Sequence, residues 1–276
     1  MRPAEIEQLP HPLAFVLPGG GALGAYQVGA LKALAEAGVV PDLLVGVSAG
    51  AVNAALHAWN QGSDGMRRVE AIWRGIRRRD LLRVHPARLT LALFGMRPSF
   101  LDNRHGLRFL RRQLGGRRLE HSPIPLVVVA TDLSNGEAVP IREGDAVEAL
   151  LASTAFPGVY PPVRLDGRWL IDGGVTADVP LDIAAALGAR SAIVVQVPPL
   201  APLAEDDPPS RAVDILFRAS TIGVEAHGRT VLRRPPPGLA VVELPAAPTT
   251  LMTFSVGSAG AVIDEAYDST QEWLRS

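Results

Sequence analysis

Short apolar runs alternate with segments of helical spacing along the whole sequence, and this alternation constrains the fold more than any other feature. Leu13–Leu17 and Leu43–Val47 are apolar runs of five residues, and each is followed by a helical pattern, at 22–37 and 49–59. Such runs are typical of strands buried on both faces, as in parallel sheets. The sequence therefore predicts an α/β fold in which helices cover the faces of a mostly parallel central sheet.

The chain has 276 residues, a length that single α/β domains often reach, so we expect one domain over residues 1–276 and not two average ones. Within it we expect a core at about 13–197, an Arg-rich helical cap at 67–118 and a C-terminal helical region at about 211–276. The further predicted strands are 126–131, 138–141, 168–171, 191–197 and 240–244, and the further predicted helices are 64–79, 103–114, 145–153, 180–187, 212–232 and 258–274.

Composition narrows the class of protein and its available chemistry. Apolar residues make up 47% of the chain and charged residues 20%, which is typical of a globular protein. The absence of cysteine excludes disulfides, thiolate metal sites and a thiol nucleophile. No His, Asp and Glu cluster has the spacing of metal ligands, so we expect no metal and no other cofactor.

The N-terminus and two uncharged stretches bear on localisation. The first ten residues contain Glu5 and Glu7 and no apolar run, so they do not form a Sec signal peptide. Stretches 8–31 and 43–63 have the length of a membrane span, but prolines, glycines and polar residues interrupt them. We expect a cytoplasmic protein that can associate peripherally with membranes.

Charge is distributed unevenly along the chain. Residues 67–118 contain 15 arginines but only three acidic residues, Glu70, Asp80 and Asp102. Together with the apolar stretch 89–101, these cations are suited to contact with an anionic membrane surface. A small cap that turns its arginines to water explains the pattern equally well. We expect no nucleic-acid partner, because the segment has no recognisable binding motif and few aromatic residues.

The first motif is a glycine-rich loop, Gly19-Gly20-Gly21-Ala22-Leu23-Gly24, which follows the first strand and opens a helix. Its spacing also fits a dinucleotide-binding loop, but that class needs an acid at the end of the second strand, and Asp42 precedes that strand. Backbone amides at a helix N-terminus stabilise an anion, including the oxyanion of an acyl-transfer intermediate.

The second motif is Gly46-Val47-Ser48-Ala49-Gly50, a G-x-S-x-G sequence between an apolar strand and an Ala-rich helix. A strand, a sharp turn and a helix form the context of a nucleophile elbow, in which the serine is exposed at the turn. Ser48 could instead be only the N-cap of the helix. Because the strand–turn–helix context is present, we interpret Ser48 as a nucleophile.

No histidine has a persuasive position as the base for Ser48. His57 lies nine residues further on, about 13 Å along a helix axis, which is too far for proton transfer. The other downstream histidines lie in the Arg-rich stretch or in a helical pattern: His85, His105, His121 and His227. The base therefore need not be a histidine.

The third motif places a carboxylate after a short apolar strand, in Leu170-Ile171-Asp172-Gly173-Gly174. Alone, Asp-Gly-Gly is an ordinary turn sequence. In the order glycine-rich loop, G-x-S-x-G and D-G-G, however, the three motifs closely resemble those of the patatin-like phospholipase family. The segments 152–157 and 160–163, ahead of Asp172, are also similar to that family, and the resemblance covers about residues 13–197.

The resemblance implies a three-layer α/β/α fold with a Ser–Asp dyad, and no cofactor. Ser48 would be the nucleophile and Asp172 the base, with Gly19, Gly20, Gly21 and Ala22 as the oxyanion and substrate-binding loop. Gly24, Gly46, Gly50, Gly173 and Gly174 would support the three motifs. The expected reaction is hydrolysis of a lipid ester through an acyl-enzyme, as in a phospholipase A or lysophospholipase.

The sequence departs from the family pattern at two positions. Members often have Arg or Lys in the glycine-rich loop, where this chain has Leu23, and Asn shortly after D-G-G, where it has Asp178. Both departures bear on substrate class, and the missing cation at Leu23 could lower activity or shift the preference from phospholipids toward neutral esters.

Three alternatives to a hydrolase stay open at this point. An acyltransferase would use the same acyl-enzyme, and a non-catalytic lipid-binding protein could share the fold. A dinucleotide-dependent oxidoreductase is weakened by the position of Asp42. Acyl-chain preference, head group and oligomeric state are not encoded in recognisable motifs.

Overall fold

A computed structural model of the chain describes residue 6 and residues 8–77, 90–92, 94–203, 211–249 and 256–276. Eight strands form one sheet with the order β5-β6-β3-β2-β1-β7-β8, and β4 pairs with β3 outside this path. The strands are β1 Leu13–Leu17, β2 Leu43–Val47, β3 Leu126–Asp132, β4 Ala138–Ile141, β5 Val163–Leu165, β6 Arg168–Asp172, β7 Ser191–Val194 and β8 Ala240–Glu243.

The central strands β3, β2, β1, β7 and β8 are parallel, and β4, β5 and β6 are antiparallel to their neighbours. The α-helices of the described residues include α1 Gly24–Glu36, α2 Ala49–Trp59, α3 Gly62–Gly75, α4 Arg104–Leu114, α5 Ala146–Ser153, α6 Gly174–Ala177, α7 Leu181–Ala186, α8 Ala212–Arg233 and α9 Ala259–Arg275. These observations confirm the predicted α/β fold with a mostly parallel sheet.

Two hydrophobic cores lie on opposite faces of the sheet, because successive side chains of a strand point to opposite faces. In β1, Phe15 belongs to the core that includes residues of α1, α2, α3, α5 and α9. Its neighbour Val16 belongs to the core with residues of α6 and α7, against which the end of α8 packs. The molecule therefore has the three layers α/β/α that the motif resemblance implied.

The pairing of β3 explains how distant parts of the chain meet. Val128 pairs with both Gly46 of β2 and Ile141 of β4, and Ala130 pairs with both Val139 of β4 and Asp172 of β6. A strand has two edges, and β4 occupies one edge of β3 along both pairings. β2 and β6 therefore lie one after the other along the other edge of β3. The end of β6 consequently lies where the chain leaves β2.

Two short elements were absent from the sequence prediction. The strand β5 joins β6 through Asp166 and Gly167, which have φ angles of 48° and 79°. An Asp-Gly pair with positive φ angles is typical of a two-residue hairpin. The helix α6 begins within the D-G-G turn. The predicted strand at 191–197 ends at Val194, and the predicted helix at 22–37 is a 3₁₀ turn, Gly21–Leu23, followed by α1.

The Arg-rich segment 67–118 is described in part. It includes most of α3, which packs on α1, and the whole of α4, which packs on α5. Residues 78–89 and 93 of this segment lie outside the described residues. Across the described parts of the chain, none of the helices combines the length and the apolar character needed to cross a membrane.

Candidate active site

Ser48 occupies a sharp turn between β2 and α2. Its backbone has φ 52° and ψ −123°, which is an uncommon conformation for a residue other than glycine. A Cβ on Gly50 would lie 2.1 Å from the carbonyl oxygen of Leu17, and one on Gly46 would lie 2.6 Å from the Cα of Ala51. The two glycines of G-x-S-x-G are therefore required by close backbone packing around the turn.

The structure brings Ser48 and Asp172 into direct contact. The Oγ of Ser48 donates a hydrogen bond to the Oδ2 of Asp172 over 2.6 Å. The other carboxyl oxygen of Asp172, Oδ1, accepts from the backbone amide of Gly174 over 2.9 Å. The amide of Ser48 is held in turn by the Oγ of Ser153, at 2.8 Å. Both members of the pair therefore have a fixed orientation.

Asp172 is almost completely buried. Burial raises the pKa of its carboxyl to about 6, although the hydrogen bonds from Ser48 and Gly174 oppose that rise. A carboxylate whose pKa approaches neutrality is a better proton acceptor than an ordinary aspartate. Burial thus makes Asp172 a stronger base than an exposed aspartate.

The glycine-rich loop lies beside the Ser–Asp pair. Gly19, Gly20, Gly21 and Ala22 line the same cavity as Ser48 and Asp172. The amide of Gly19 donates to the Oδ1 of Asp178 over 3.0 Å, so it is engaged within the protein. Among the described hydrogen bonds, none is donated by the amides of Gly20 or Gly21.

The other motif glycines, Gly24, Gly173 and Gly174, lie in close contact with neighbouring residues of the site. A Cβ on Gly173 would lie 2.2 Å from the carbonyl oxygen of Val129, and one on Gly24 would lie 3.0 Å from the Cβ of Ala49. At Gly174, the nearest atom would be the Oδ1 of Asp172, at 3.2 Å. These positions allow the loop, the elbow and the D-G-G turn to approach one another closely.

A buried polar network, which the sequence did not reveal, supports the loop. Gln27 donates to the carbonyl oxygens of Pro18 and Val195, and Asn53 donates to the side-chain oxygen of Gln27. The indole Nε1 of Trp73 donates to Asn53 over 2.8 Å. The network ties the start of the loop to the elbow helix and to a wall of the cavity. Buried amides of this kind have no sequence signature, because their partners are distant in the chain.

The cavity has a volume of about 240 Å³ and mainly apolar walls. One wall is formed by α3 and α4. Another is formed by the D-G-G segment, by the residues that follow β7, and by α8. Its large apolar side chains include Trp73, Ile76, Phe109, Leu110, Val197 and Val224. Leu23 is buried and lines it as well. Among the described residues of the lining, the ionisable side chains are the carboxyl groups Asp172, Asp178 and Glu225, with the phenol of Tyr160.

The histidines that the structure describes do not reach Ser48. His57 is buried in α2, where its ring contacts the sulfur of Met66, and burial lowers its pKa to about 4. None of the described residues lining the cavity is a histidine. His85 lies outside the described residues. In the described ranges, no group of His, Asp or Glu side chains is arranged to hold a metal ion.

With this geometry in view, the comparisons with known proteins assign the family. Residues 15–185 match the family model described as patatin-like phospholipase, and the chain belongs to that family. The family resemblance predicted from the three motifs is thereby confirmed.

Individual relatives agree with this assignment. An uncharacterised NTE family protein of Mycobacterium tuberculosis is 32% identical over 186 residues, which are 67% of this chain and 49% of that protein. Patatin-like phospholipase domain-containing protein 6 of Homo sapiens is 32% identical over 187 residues, which are 67% of this chain and 13% of that protein. The chain thus spans about half the length of the mycobacterial relative and a smaller part of the human one.

One solved structure shares the fold over nearly the whole chain. VipD from Legionella pneumophila matches with a TM-score of 0.52 and 16% sequence identity, over 96% of this chain and 67% of that chain. At this level of identity the likeness concerns the architecture of the domain.

Proposed function

We propose that this protein is a lipid acyl hydrolase of the phospholipase A or lysophospholipase type, with Ser48 and Asp172 as its catalytic dyad. The observation that carries the proposal is the 2.6 Å hydrogen bond from Ser48 to a buried carboxyl whose pKa is raised to about 6. A nucleophile, a base and an adjacent apolar cavity are the parts that ester hydrolysis through an acyl-enzyme needs.

In the first half of the proposed reaction, Asp172 accepts the proton of Ser48 as the serine oxygen attacks the ester carbonyl. The tetrahedral intermediate carries its negative charge on the former carbonyl oxygen. When the intermediate collapses, the bond to the alcohol breaks, and the alcohol leaves with the proton held by Asp172. The acyl group is then bound to Ser48 as an ester.

In the second half, Asp172 accepts a proton from water as the water oxygen attacks the acyl-enzyme. Collapse of the second intermediate releases the carboxylic acid and returns the proton to Ser48. Asp172 is therefore ionised at the start and at the end of each cycle, and the net reaction consumes one ester bond and one water molecule. An acyltransferase would differ only in the acceptor that replaces water in this half.

The glycine-rich loop is the proposed site of oxyanion stabilisation. The amide of Gly19 is engaged by Asp178, so the amides of Gly20 and Gly21, with that of Ala22, are the proposed donors. Donors fixed before the reaction stabilise the developing charge without reorganisation. The apolar walls of the cavity would hold the acyl chain.

We also propose that residues 94–97 of the Arg-rich segment contact the membrane. Phe94 is 74% exposed and Met96 is 63% exposed, and Arg97 follows them. Apolar side chains flanked by a cation are suited to the interface of an anionic bilayer. Contact there would bring lipid substrate to the cavity, because α4, which belongs to the same Arg-rich segment, lines that cavity.

Covalent labelling tests the dyad directly. The protein is treated with an alkyl fluorophosphonate and its intact mass is measured beside Ser48→Ala and Asp172→Asn. We expect one adduct on the wild type, none on Ser48→Ala and a much slower reaction of Asp172→Asn. An adduct of unchanged rate on Ser48→Ala would contradict the assignment.

Product analysis then separates the reaction types. With a lysophospholipid as substrate, hydrolysis gives a free fatty acid, whereas transfer to an added alcohol gives a new ester. Binding of the lipid without either product would support a lipid-binding protein instead of an enzyme.

A further inference from the structure

Asp178 is a second carboxyl group that the structure buries beside the Ser48–Asp172 pair. It follows α6, is only 7% exposed and lines the same cavity. Ionisation of a buried carboxyl is costly unless a cation accompanies it. Among the described residues that line the cavity there is no Arg, Lys or His. An ionised Asp178 would therefore place a negative charge in the cavity with no cation among the described lining residues to balance it.

Asp178 connects the two catalytic loops. Its Oδ1 accepts a hydrogen bond from the amide of Gly19 over 3.0 Å. A Cβ on Gly19 would lie 3.1 Å from that oxygen and 3.3 Å from the Cβ of Ser48. A Cβ on Gly174 would lie 3.2 Å from the Oδ1 of Asp172 and 3.5 Å from the Oδ1 of Asp178. The two carboxyl groups thus border the same small buried space.

The charged neighbours of Asp178 oppose its ionisation. Burial raises the pKa of Asp178 to about 7, the amide of Gly19 lowers it, and the carboxylates of Asp172 and Glu225 raise it further. These two face Asp178 from β6 and α8, and Glu225 is itself paired with Arg229 at 3.2 Å. Two carboxyl groups in one buried space lose their protons one after the other. Among the described hydrogen bonds, Asp172 accepts two, from Ser48 and Gly174, whereas Asp178 accepts one, from Gly19, so the first negative charge is better stabilised on Asp172.

Building on the proposed hydrolase function, we propose that Asp178 is a positioning residue that holds the glycine-rich loop through Gly19 and must keep its proton during the reaction. In the tetrahedral intermediate, the negative charge has moved from Asp172 to the oxyanion, beside the loop. An ionised Asp178, bonded to that loop from the segment after α6, repels the charge, whereas a protonated Asp178 holds Gly19 through its carbonyl oxygen without repulsion.

This arrangement determines the shape of the pH profile. Activity rises with pH as Asp172 loses its proton, and it falls at higher pH as Asp178 loses its own. Asp178→Asn keeps an oxygen that accepts from Gly19 but has no proton to lose. The falling limb should therefore disappear, and the rising limb should stay where it is, because Asp178 is uncharged while Asp172 loses its proton.

The experiment is the pH dependence of kcat/KM from pH 5 to 9, measured on a soluble short-chain p-nitrophenyl ester. We expect the wild type to lose about tenfold or more between pH 7 and 9, in line with one ionisation, and Asp178→Asn to stay level. Asp178→Ala, which cannot hold Gly19, should be less active at every pH. Persistence of the falling limb in Asp178→Asn would overturn the proposal.

Glu225→Gln is the matched control. It removes a neighbouring carboxylate from the same cavity and does not touch Gly19. Because one like charge is lost, the falling limb should move to lower pH but remain. If the falling limb disappears in Glu225→Gln and persists in Asp178→Asn, the limb reports the ionisation of Glu225, and the proposal for Asp178 is overturned.

A second measurement judges Asp178 even if no ester is hydrolysed. An acid whose pKa is raised by folding stabilises the fold at low pH, and this stability is lost as pH rises through the folded pKa. We expect Asp178→Asn to gain Tm relative to the wild type at pH 8 and to gain much less at pH 4. An equal Tm difference at pH 4 and pH 8 would contradict the proposal that Asp178 keeps its proton. Failure of fluorophosphonate labelling would contradict only the proposed hydrolase function.

Discussion

The backbone amide of Ser48 lies 2.8 Å from the hydroxyl oxygen of Ser153, which itself donates to the carbonyl oxygen of Val129 over 2.6 Å. This hydroxyl therefore joins the elbow turn to the neighbouring strand β3. It satisfies an amide that the strained backbone of Ser48 leaves without a helical partner. The orientation of the proposed nucleophile depends on a residue 105 positions away in the sequence.

Ser153→Ala is expected to reduce activity and stability together. The buried amide of Ser48 loses its acceptor, which costs about 1–3 kcal/mol, and the less rigid turn should lower kcat about tenfold. Thermal unfolding and esterase kinetics measure the two effects. Ser191→Ala is the control, because the hydroxyl of Ser191 donates to Pro10 over 2.6 Å on a buried strand outside the cavity lining. An equal loss of kcat in the control would show that the effect is only structural.

The rising limb of the pH profile should follow Asp172. Because burial raises the pKa of Asp172 to about 6, the ionised base is present above that pH and is lost below it. We expect kcat/KM to fall about tenfold per pH unit below the pKa of this group. The rate of fluorophosphonate labelling should fall in parallel, since it depends on the same ionisation. A rate that stays constant down to pH 4 would show that Asp172 is not the base.

Gly50→Ala should prevent correct folding of the elbow. The added Cβ would lie 2.1 Å from the carbonyl oxygen of Leu17, which is backbone and cannot turn aside. We expect a loss of several degrees in Tm, or insoluble protein. Gly223→Ala is the matched control, because it lies in α8 with nothing within 4 Å of the new Cβ. Alanine is favoured over glycine in a helix by about 1 kcal/mol, so the control should gain stability.

Phe94→Ser combined with Met96→Ser tests membrane contact. Removal of two apolar side chains should weaken binding to phosphatidylglycerol vesicles by tenfold or more, since burying each such side chain contributes about 1.5–3 kcal/mol. Hydrolysis of a soluble ester should be unaffected. The control is Ile215→Ser with Leu216→Ser in α8, which are 50% and 68% exposed. If only this second pair weakens vesicle binding, the membrane-facing surface lies on α8.

Much of the fold and the outline of the site could be predicted because the signals are local. The apolar runs of β1 and β2 end where the structure ends them, and each of the three motifs lies at a strand–helix junction. Asp166 and Gly167 also gave a local hairpin signal that could have located β5.

What escaped prediction depends on contacts between distant residues. Ser153 was noted as part of a family-like segment, yet nothing near it in sequence indicates that it holds Ser48. Asp178 was expected to affect substrate class, whereas its contact with Gly19 joins residues 159 positions apart. Gln27, Asn53 and Trp73 resemble ordinary helix residues in the sequence. Such pairings become visible only when the sheet order is known.

The shared edge of β3 has a consequence for variation within this architecture. Val47, just before Ser48, pairs with Val129, and Asp172 pairs with Ala130, so adjacent residues of β3 set the separation of the proposed nucleophile and base. The 124 positions that separate Ser48 from Asp172 in the chain do not enter that separation. Segments inserted between β2 and β3 can therefore lengthen, shorten or be exchanged without changing the distance between Ser48 and Asp172.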